Sequence, residues 1–178
     1  MPIKIEEQDL IFEFGDDWHV VKFDDHPDFL NKIRKFKKSC ALDFVAVYNG
    51  EILWLIEVKD FRGFRSNNRQ RITTGDLAME VATKVRDSIA GAVGARQMSS
   101  TLQDWKPIAH CLNRNNSIFV VLWLEEDIMR YPAYLTTLTD DIKGHLRWLT
   151  TRVMVSKIGS PRHPLALTVR YKSGAIRP

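Results

Sequence analysis

The sequence predicts an α/β protein in which a mixed β-sheet lies between helices. Two neighbouring segments, 41–48 (ALDFVAVY) and 51–59 (EILWLIEVK), are apolar at nearly every position, which is typical of central strands covered on both faces. Beyond them, apolar residues recur at every fourth position from Leu77 to Val93, which indicates an amphipathic helix. A third apolar segment, 117–124, follows as a further buried strand. This alternation predicts one sheet with helices packed on each side.

The remaining elements are predicted in chain order from turn residues and periodicity. Segments 11–14 and 18–23 flank Gly15-Asp16-Asp17 and predict an N-terminal hairpin. Pro27 suits a first helical turn, and apolar residues at helical spacing continue to Phe36, so we expect a helix that ends near Lys37-Lys38. In the last forty residues, segment 140–149 is expected to be helical, and segments 152–157 and 165–172 are expected to be strands.

Length and composition indicate one globular domain over 1–178, with a core at about 27–125 and a basic C-terminal extension at 142–178. The 178 residues suffice for a sizeable core, and no repeat or Pro/Gly-rich linker divides them. The longest apolar run, 118–124, is too short to cross a bilayer, and the N-terminus lacks a signal-peptide pattern. The two cysteines have no metal-ligand spacing. We expect a cytoplasmic protein without membrane association.

Charge is distributed unevenly along the chain. Nine acidic residues stand at or before Asp28, against two lysines, whereas no acidic residue follows Asp141. The segment after Asp141 carries eight cationic residues: Lys143, Arg147, Arg152, Lys157, Arg162, Arg170, Lys172 and Arg177. A basic face that meets a polyanion would explain this pattern, and chance clustering on a solvated surface explains it about as well.

Three ionisable residues lie inside the apolar central strands: Asp43, Glu57 and Lys59. Charges in such strands cost several kcal/mol each unless they are paired or bound to a metal. Glu57 and Lys59 are two residues apart and therefore share a face of the sheet. A two-residue turn at Asn49-Gly50 would place Asp43 on the opposite face, whereas a three-residue loop of Tyr48-Asn49-Gly50, with Gly50 left-handed, would place it beside Glu57.

Two carboxylates and a lysine at a strand end suit metal-dependent phosphodiester cleavage. Hard oxygen ligands select Mg²⁺ or Mn²⁺, and the backbone carbonyl of Val58 could add a further ligand. A metal at this place would activate water, and Lys59 would position that water or stabilise the transition state. The alternative is a structural ion pair between Lys59 and one of the carboxylates in an ordinary sheet.

Asp43, followed after thirteen residues by Glu57-Val58-Lys59 in the neighbouring strand, resembles the PD-(D/E)XK nuclease superfamily. The resemblance covers about residues 27–125 and implies a restriction-endonuclease-like three-layer sandwich, a mixed central sheet flanked by helices. It implies that Asp43 and Glu57 bind the metal and that Lys59 is the catalytic lysine. Leu42 stands in place of the name-giving proline.

Many members of the superfamily take another carboxylate from the first helix and have a strand before the aspartate strand. The candidates for that carboxylate are Asp28, Asp24, Asp25 and Glu13, and segment 18–23 is the candidate for the strand. On the helix that follows the lysine, Glu80 and Lys84 could complete the site. Because they are four residues apart, we expect an exposed salt bridge between them instead.

The resemblance implies a Mg²⁺- or Mn²⁺-dependent nuclease that acts on DNA more readily than on RNA. Four arginines after the lysine strand are expected to hold flanking phosphates: Arg62, Arg65, Arg69 and Arg71. No recognition module is evident, so specificity would come from a homodimer or a partner protein. The alternative function is a catalytically silent nuclease fold that binds nucleic acid or serves as an assembly subunit of a larger system.

Overall fold

A computed structural model describes residues 2–36, 38–63, 70–113, 117–127, 132–160 and 165–173. Within these ranges eight strands form two sheets. The strands are β1 (Ile3–Glu7), β2 (Leu10–Phe14), β3 (Trp18–Lys22), β4 (Phe44–Tyr48), β5 (Ile52–Asp60), β6 (Ser117–Glu125), β7 (Val153–Ser156) and β8 (Leu167–Tyr171). The helices are α1 (Asp76–Met98), α2 (Leu102–Asn113) and α3 (Pro132–Leu146), and a single π-helical turn spans Phe29–Ile33.

The larger sheet has the order β3-β4-β5-β6-β7 and is mixed, as predicted. Strand β4 runs antiparallel to both of its neighbours, β3 and β5, whereas β5, β6 and β7 run parallel to one another. Segment 18–23 therefore does supply the strand beside the aspartate strand. The smaller sheet is antiparallel, with the order β1-β2-β8.

The two faces of the mixed sheet are covered differently, which corrects one prediction. One face packs against α1, α2 and α3 through a core that includes Leu55, Val81 and Leu122. The opposite face packs against the smaller sheet, where Phe12 meets Trp123 edge to face with ring centroids 5.6 Å apart. In the part of the chain that the structure describes, no helix joins this second core. The expectation of helices on both faces was wrong, and the three layers are a small sheet, a mixed sheet and helices.

Several element predictions need correction. Segments 11–14 and 18–23 do not form a hairpin, because β2 pairs with β1 and β8 while β3 pairs with β4. The helix expected from 27 to 37 is short and wound as a π-helix, in which Arg34 N donates to Phe29 O at 2.8 Å. Helix α3 begins eight residues before the predicted start at 140, and α2 was not predicted. The late strands β7 and β8 confirm the predictions for 152–157 and 165–172.

Among the described helices, none is long and apolar enough to cross a membrane.

Candidate active site

The β4–β5 turn brings Asp43 to the face of the sheet that carries Glu57. Tyr48 pairs with Ile52, so the loop has three residues, 49–51, and both Asn49 and Gly50 have positive φ angles of 51° and 70°. Glycine adopts this left-handed conformation without the Cβ penalty that other residues incur. The odd loop was predicted correctly, but it lies one residue later than expected. Continuing the register beyond Phe44 and Ile56 places Asp43 directly opposite Glu57 rather than diagonal to it.

Glu57 is the most enclosed ionisable residue of the site, with no solvent exposure. Its Oε1 atom accepts from Lys59 Nζ at 2.8 Å and from Lys84 Nζ at 2.6 Å. Its Oε2 atom is buried and has no hydrogen-bond partner among the described residues. Burial raises the pKa of Glu57, although the two lysines oppose that shift. One oxygen of this carboxylate is thus saturated, and the other is free to bind a cation.

Asp43 is 5% exposed and lies across from Glu57. Its Oδ2 atom accepts from the backbone N–H of Val58 at 2.6 Å. Burial, followed by the charge of Glu57, raises the pKa of Asp43 to about 8. Two carboxylates in one buried place cannot both ionise cheaply without a cation between them. Without a metal, Asp43 is therefore mainly protonated at neutral pH.

Lys59 lies between two carboxylates. Its Nζ atom is 2.8 Å from Glu57 Oε1 and 2.8 Å from Glu80 Oε1. Burial alone would lower the pKa of Lys59, but the two carboxylates outweigh it and raise the pKa, so the ammonium group stays charged. Its position beside the carboxylate pair agrees with the role that the resemblance implies.

Glu80 and Lys84 point into the site from α1, which corrects the expectation of an exposed salt bridge between them. Lys84 contacts Glu57, and Glu80 contacts Lys59 and Arg71. The lysine and arginine charges outweigh burial and lower the pKa of Glu80. Lys84 follows Leu77 by seven residues and so points in nearly the same direction as that buried leucine. This position within the apolar stripe was the sequence signal that Lys84 faces inward.

A further acidic group adjoins Asp43. Carboxylate oxygens of Glu7, Asp24 and Asp43 all lie within 4.8 Å of one another. Asp24 was one of the four candidates for the additional carboxylate, whereas Glu7, at the end of β1, was not among them. The cluster of acidic residues around Glu7 near the N-terminus was the only feature of the sequence that pointed to this carboxylate.

The other candidates for the additional carboxylate are engaged elsewhere. Asp28 accepts from Lys32, Ser99 and Trp105 at 2.6, 2.5 and 2.8 Å. Burial would raise the pKa of Asp28, but these donors outweigh it and lower the pKa, so Asp28 is a fully bonded structural carboxylate. Glu13 pairs with Lys4 and Arg170, and Asp25 pairs with Lys22.

The backbone carbonyl of Val58, the expected additional metal ligand, carries one hydrogen bond. Gln8 Nε2 donates to Val58 O at 3.1 Å, and Gln8 Oε1 accepts from Asp60 N at 2.7 Å. The Gln8 side chain thus bonds to the end of β5 that extends past its pairing with β4. A metal bound to this carbonyl would share the oxygen with Gln8 or displace its amide.

The structure separates the four arginines that were expected to hold phosphates. Arg62 is 5% exposed, forms a bidentate pair with Asp60, and lies over the Tyr171 ring with its guanidinium carbon 4.1 Å from the ring centroid. Its assignment to nucleic-acid binding is therefore corrected, because the guanidinium is committed to the protein. Arg71 bonds to Glu80 at the margin of the site. Arg65 and Arg69 lie outside the described residues.

Part of the basic C-terminal stretch neutralises the acidic start of the chain. Arg170 of β8 pairs with Glu13 of β2 at 3.0 Å, and Lys172, just after β8, pairs with Glu6 of β1 at 2.9 Å. The uneven charge distribution therefore has an internal explanation at these two positions. Arg162 and Arg177 lie outside the described ranges.

Comparison with known proteins yields one distant relative. No family model matches the chain, and no solved structure matches it. A cysteine–tRNA ligase from Neisseria meningitidis serogroup A / serotype 4A (strain DSM 15465 / Z2491) is 30% identical over 156 aligned residues. The alignment covers 73% of this chain and 22% of that ligase, so the chain is similar to about a fifth of its length.

Proposed function

We propose that the chain is a Mg²⁺- or Mn²⁺-dependent nuclease whose site is centred on Asp43, Glu57 and Lys59. The observation that carries the proposal is Glu57 Oε2, a wholly buried carboxylate oxygen without a partner among the described residues, directly opposite a second buried carboxylate. Leaving such an atom unsatisfied costs about 1–3 kcal/mol or more. A hard divalent cation between the two carboxylates would supply the missing partner.

Each residue of the site has a distinct part in this proposal. Asp43 and Glu57 Oε2 would hold the metal, and Lys84 fixes the orientation of the Glu57 carboxylate through Oε1. Glu80 holds Lys59 beside the carboxylates, where its ammonium can orient water or stabilise charge on the phosphate. A bound Mg²⁺ or Mn²⁺ would polarise the phosphate and lower the pKa of a coordinated water.

We also propose that the chain has a restriction-endonuclease-like fold. The order β3-β4-β5-β6-β7, with α1 following β5 along the chain, supports a restriction-endonuclease-like core. The small sheet on the second face is an addition to the arrangement that the resemblance implies. The substrate we favour is DNA, and specificity would come from a homodimer or a partner protein, as the resemblance implies.

The test is a cleavage assay with plasmid DNA, single-stranded DNA and transfer RNA, with and without Mg²⁺ or Mn²⁺. We expect cleavage only with a divalent ion, and we expect Lys59→Ala to reduce its rate on the order of a hundredfold or more. Divalent-ion binding should persist in this variant, because Lys59 is not a ligand. Lys4→Ala, which removes a surface partner of Glu13, is the control and should cleave at the wild-type rate. Absence of metal-dependent cleavage of all three substrates would reject the proposal.

A second candidate is a catalytically silent protein of this fold that binds nucleic acid. Two observations favour it: both lysines already bind Glu57 Oε1, and the similar protein is a tRNA ligase by name. Such a protein would retain transfer-RNA binding in a mobility-shift assay without divalent ions. It would show no thermal stabilisation by Mg²⁺ or Mn²⁺, whereas the nuclease should show it.

A further inference from the structure

Lys22 forms ion pairs with the acidic residues that adjoin Asp43. Its Nζ atom lies 2.9 Å from Glu7, 3.0 Å from Asp24 and 2.7 Å from Asp25. Burial would lower the pKa of Lys22, but the three carboxylates outweigh it and raise the pKa, so this lysine stays charged. The ammonium group therefore sits among carboxylates that could otherwise bind a second metal ion.

The charges around the site are matched to a single divalent ion. If all are ionised, the six carboxylates carry two more charges than the four cationic groups that contact them. The carboxylates are Glu7, Asp24, Asp25, Asp43, Glu57 and Glu80, and the cations are Lys22, Lys59, Lys84 and Arg71. One divalent ion would neutralise this excess, and a second would leave an excess of two positive charges at a half-buried place.

We propose that the site takes one divalent cation, between Asp43 and Glu57, and that Lys22 is a built-in cation that prevents a second from binding at Glu7 and Asp24. This inference rests on the proposed function. The unpartnered Glu57 Oε2 marks where the one ion binds, independently of the acidic group. Lys22 marks where a second ion would bind, because the three carboxylate oxygens within 4.8 Å of one another form a ligand set.

Removal of the Lys22 charge should convert the protein into a binder of two ions. In Lys22→Gln, the carboxylates of Glu7 and Asp24 lose their cation and can bind a divalent ion together with Asp43, which would bridge the two ions. Lys22→Arg keeps the charge and should keep the single ion. Lys172→Gln, which removes a surface lysine paired with Glu6 on the same strand as Glu7, is a matched control and should also bind one ion.

The experiment is isothermal titration of Mn²⁺ into the four proteins. We expect a stoichiometry of one for the wild type, Lys22→Arg and Lys172→Gln, and of two for Lys22→Gln. A stoichiometry of two in the wild type, or of one in Lys22→Gln, would overturn the inference and leave the proposed function intact. Absence of Mn²⁺ binding to the wild type would instead reject the proposed function.

A second variant covers the case in which Lys22→Gln does not fold. Glu7→Gln/Asp24→Asn, made with Lys22 in place, removes ligands of the second position only. We expect one bound Mn²⁺ with less than a threefold change in its affinity. A tenfold or larger loss of affinity would show that these carboxylates bind the first ion, which would overturn the inference.

Discussion

Replacing Asp43 by asparagine should stabilise the metal-free protein near neutral pH. The folded protein holds the Asp43 proton up to a pKa of about 8, whereas the unfolded chain releases it near the ordinary value of 3.8. Between these values, the folded state binds one proton more than the unfolded state, so stability falls as pH rises. A difference of one bound proton changes the free energy of unfolding by about 1.4 kcal/mol per pH unit. At pH 7, the upper limit of the gain from Asp43→Asn is thus about 4 kcal/mol.

The assay is urea unfolding of the metal-free wild type and Asp43→Asn at a series of pH values from 4 to 8. The asparagine can still accept the Val58 N–H bond, so the fold should be retained. We expect similar free energies of unfolding near pH 4 and a growing advantage for Asp43→Asn above it. An equal or lower stability of Asp43→Asn at pH 7 would refute the argument that Asp43 and Glu57 are mismatched without a metal.

Glu57→Gln is the matched comparison and should act in the opposite direction. Glu57 is bound by two lysines, and removal of its charge takes away the one salt-bridge partner that the described residues give Lys84. Breaking a buried pair in this way costs roughly 3–5 kcal/mol. If both carboxylates were held by lysines, both variants would lose stability, so opposite signs would show that Asp43, unlike Glu57, has no cation partner in the metal-free protein.

Three further predictions concern proton release, substrate binding and packing. Titration of Mn²⁺ at pH 7 in buffers of different ionisation enthalpy should show release of close to one proton per ion, because the metal ionises Asp43, and no release would contradict the raised pKa. Replacing Arg65 and Arg69 together by alanine should weaken DNA binding and reduce the slope of log affinity against log salt by about two, and an unchanged slope would exclude phosphate contacts there. Gly91→Ala would place a Cβ 2.7 Å from side-chain atoms of a neighbouring phenylalanine and isoleucine, so we expect a net loss of about 1–2 kcal/mol in denaturant unfolding, whereas Gly94→Ala in the same helix meets nothing within 4 Å and should gain up to about 1 kcal/mol.

The central hairpin could be predicted from the sequence because parity is a strict constraint. Asp43 and Glu57 share a face only with an odd loop, and Gly50 can adopt the required conformation. The exact loop residues were missed by one position, because both Asn49 and Gly50 tolerate positive φ angles and nothing in the local sequence chooses between the two loops.

Contacts that depend on distant parts of the chain could not be predicted. Strand β2 pairs with β8, more than 150 residues away, and no local pattern indicates such a partner. The closeness of Glu7 to Asp43 likewise depends on how distant parts of the chain pack together. Arg62 was expected to contact phosphate because it follows β5, but Asp60 and Tyr171 bind it, and Tyr171 belongs to the same distant strand.

An anomalous difference map from crystals grown with Mn²⁺ would show directly whether Asp43 and Glu57 bind a metal ion together. We expect one strong peak per chain, bonded at about 2 Å to an oxygen of Asp43 and to Glu57 Oε2, with Lys22 still among Glu7, Asp24 and Asp25. No peak between Asp43 and Glu57, in crystals where Glu57 keeps only its two lysine partners, would contradict the proposal that these carboxylates form a metal-dependent active site.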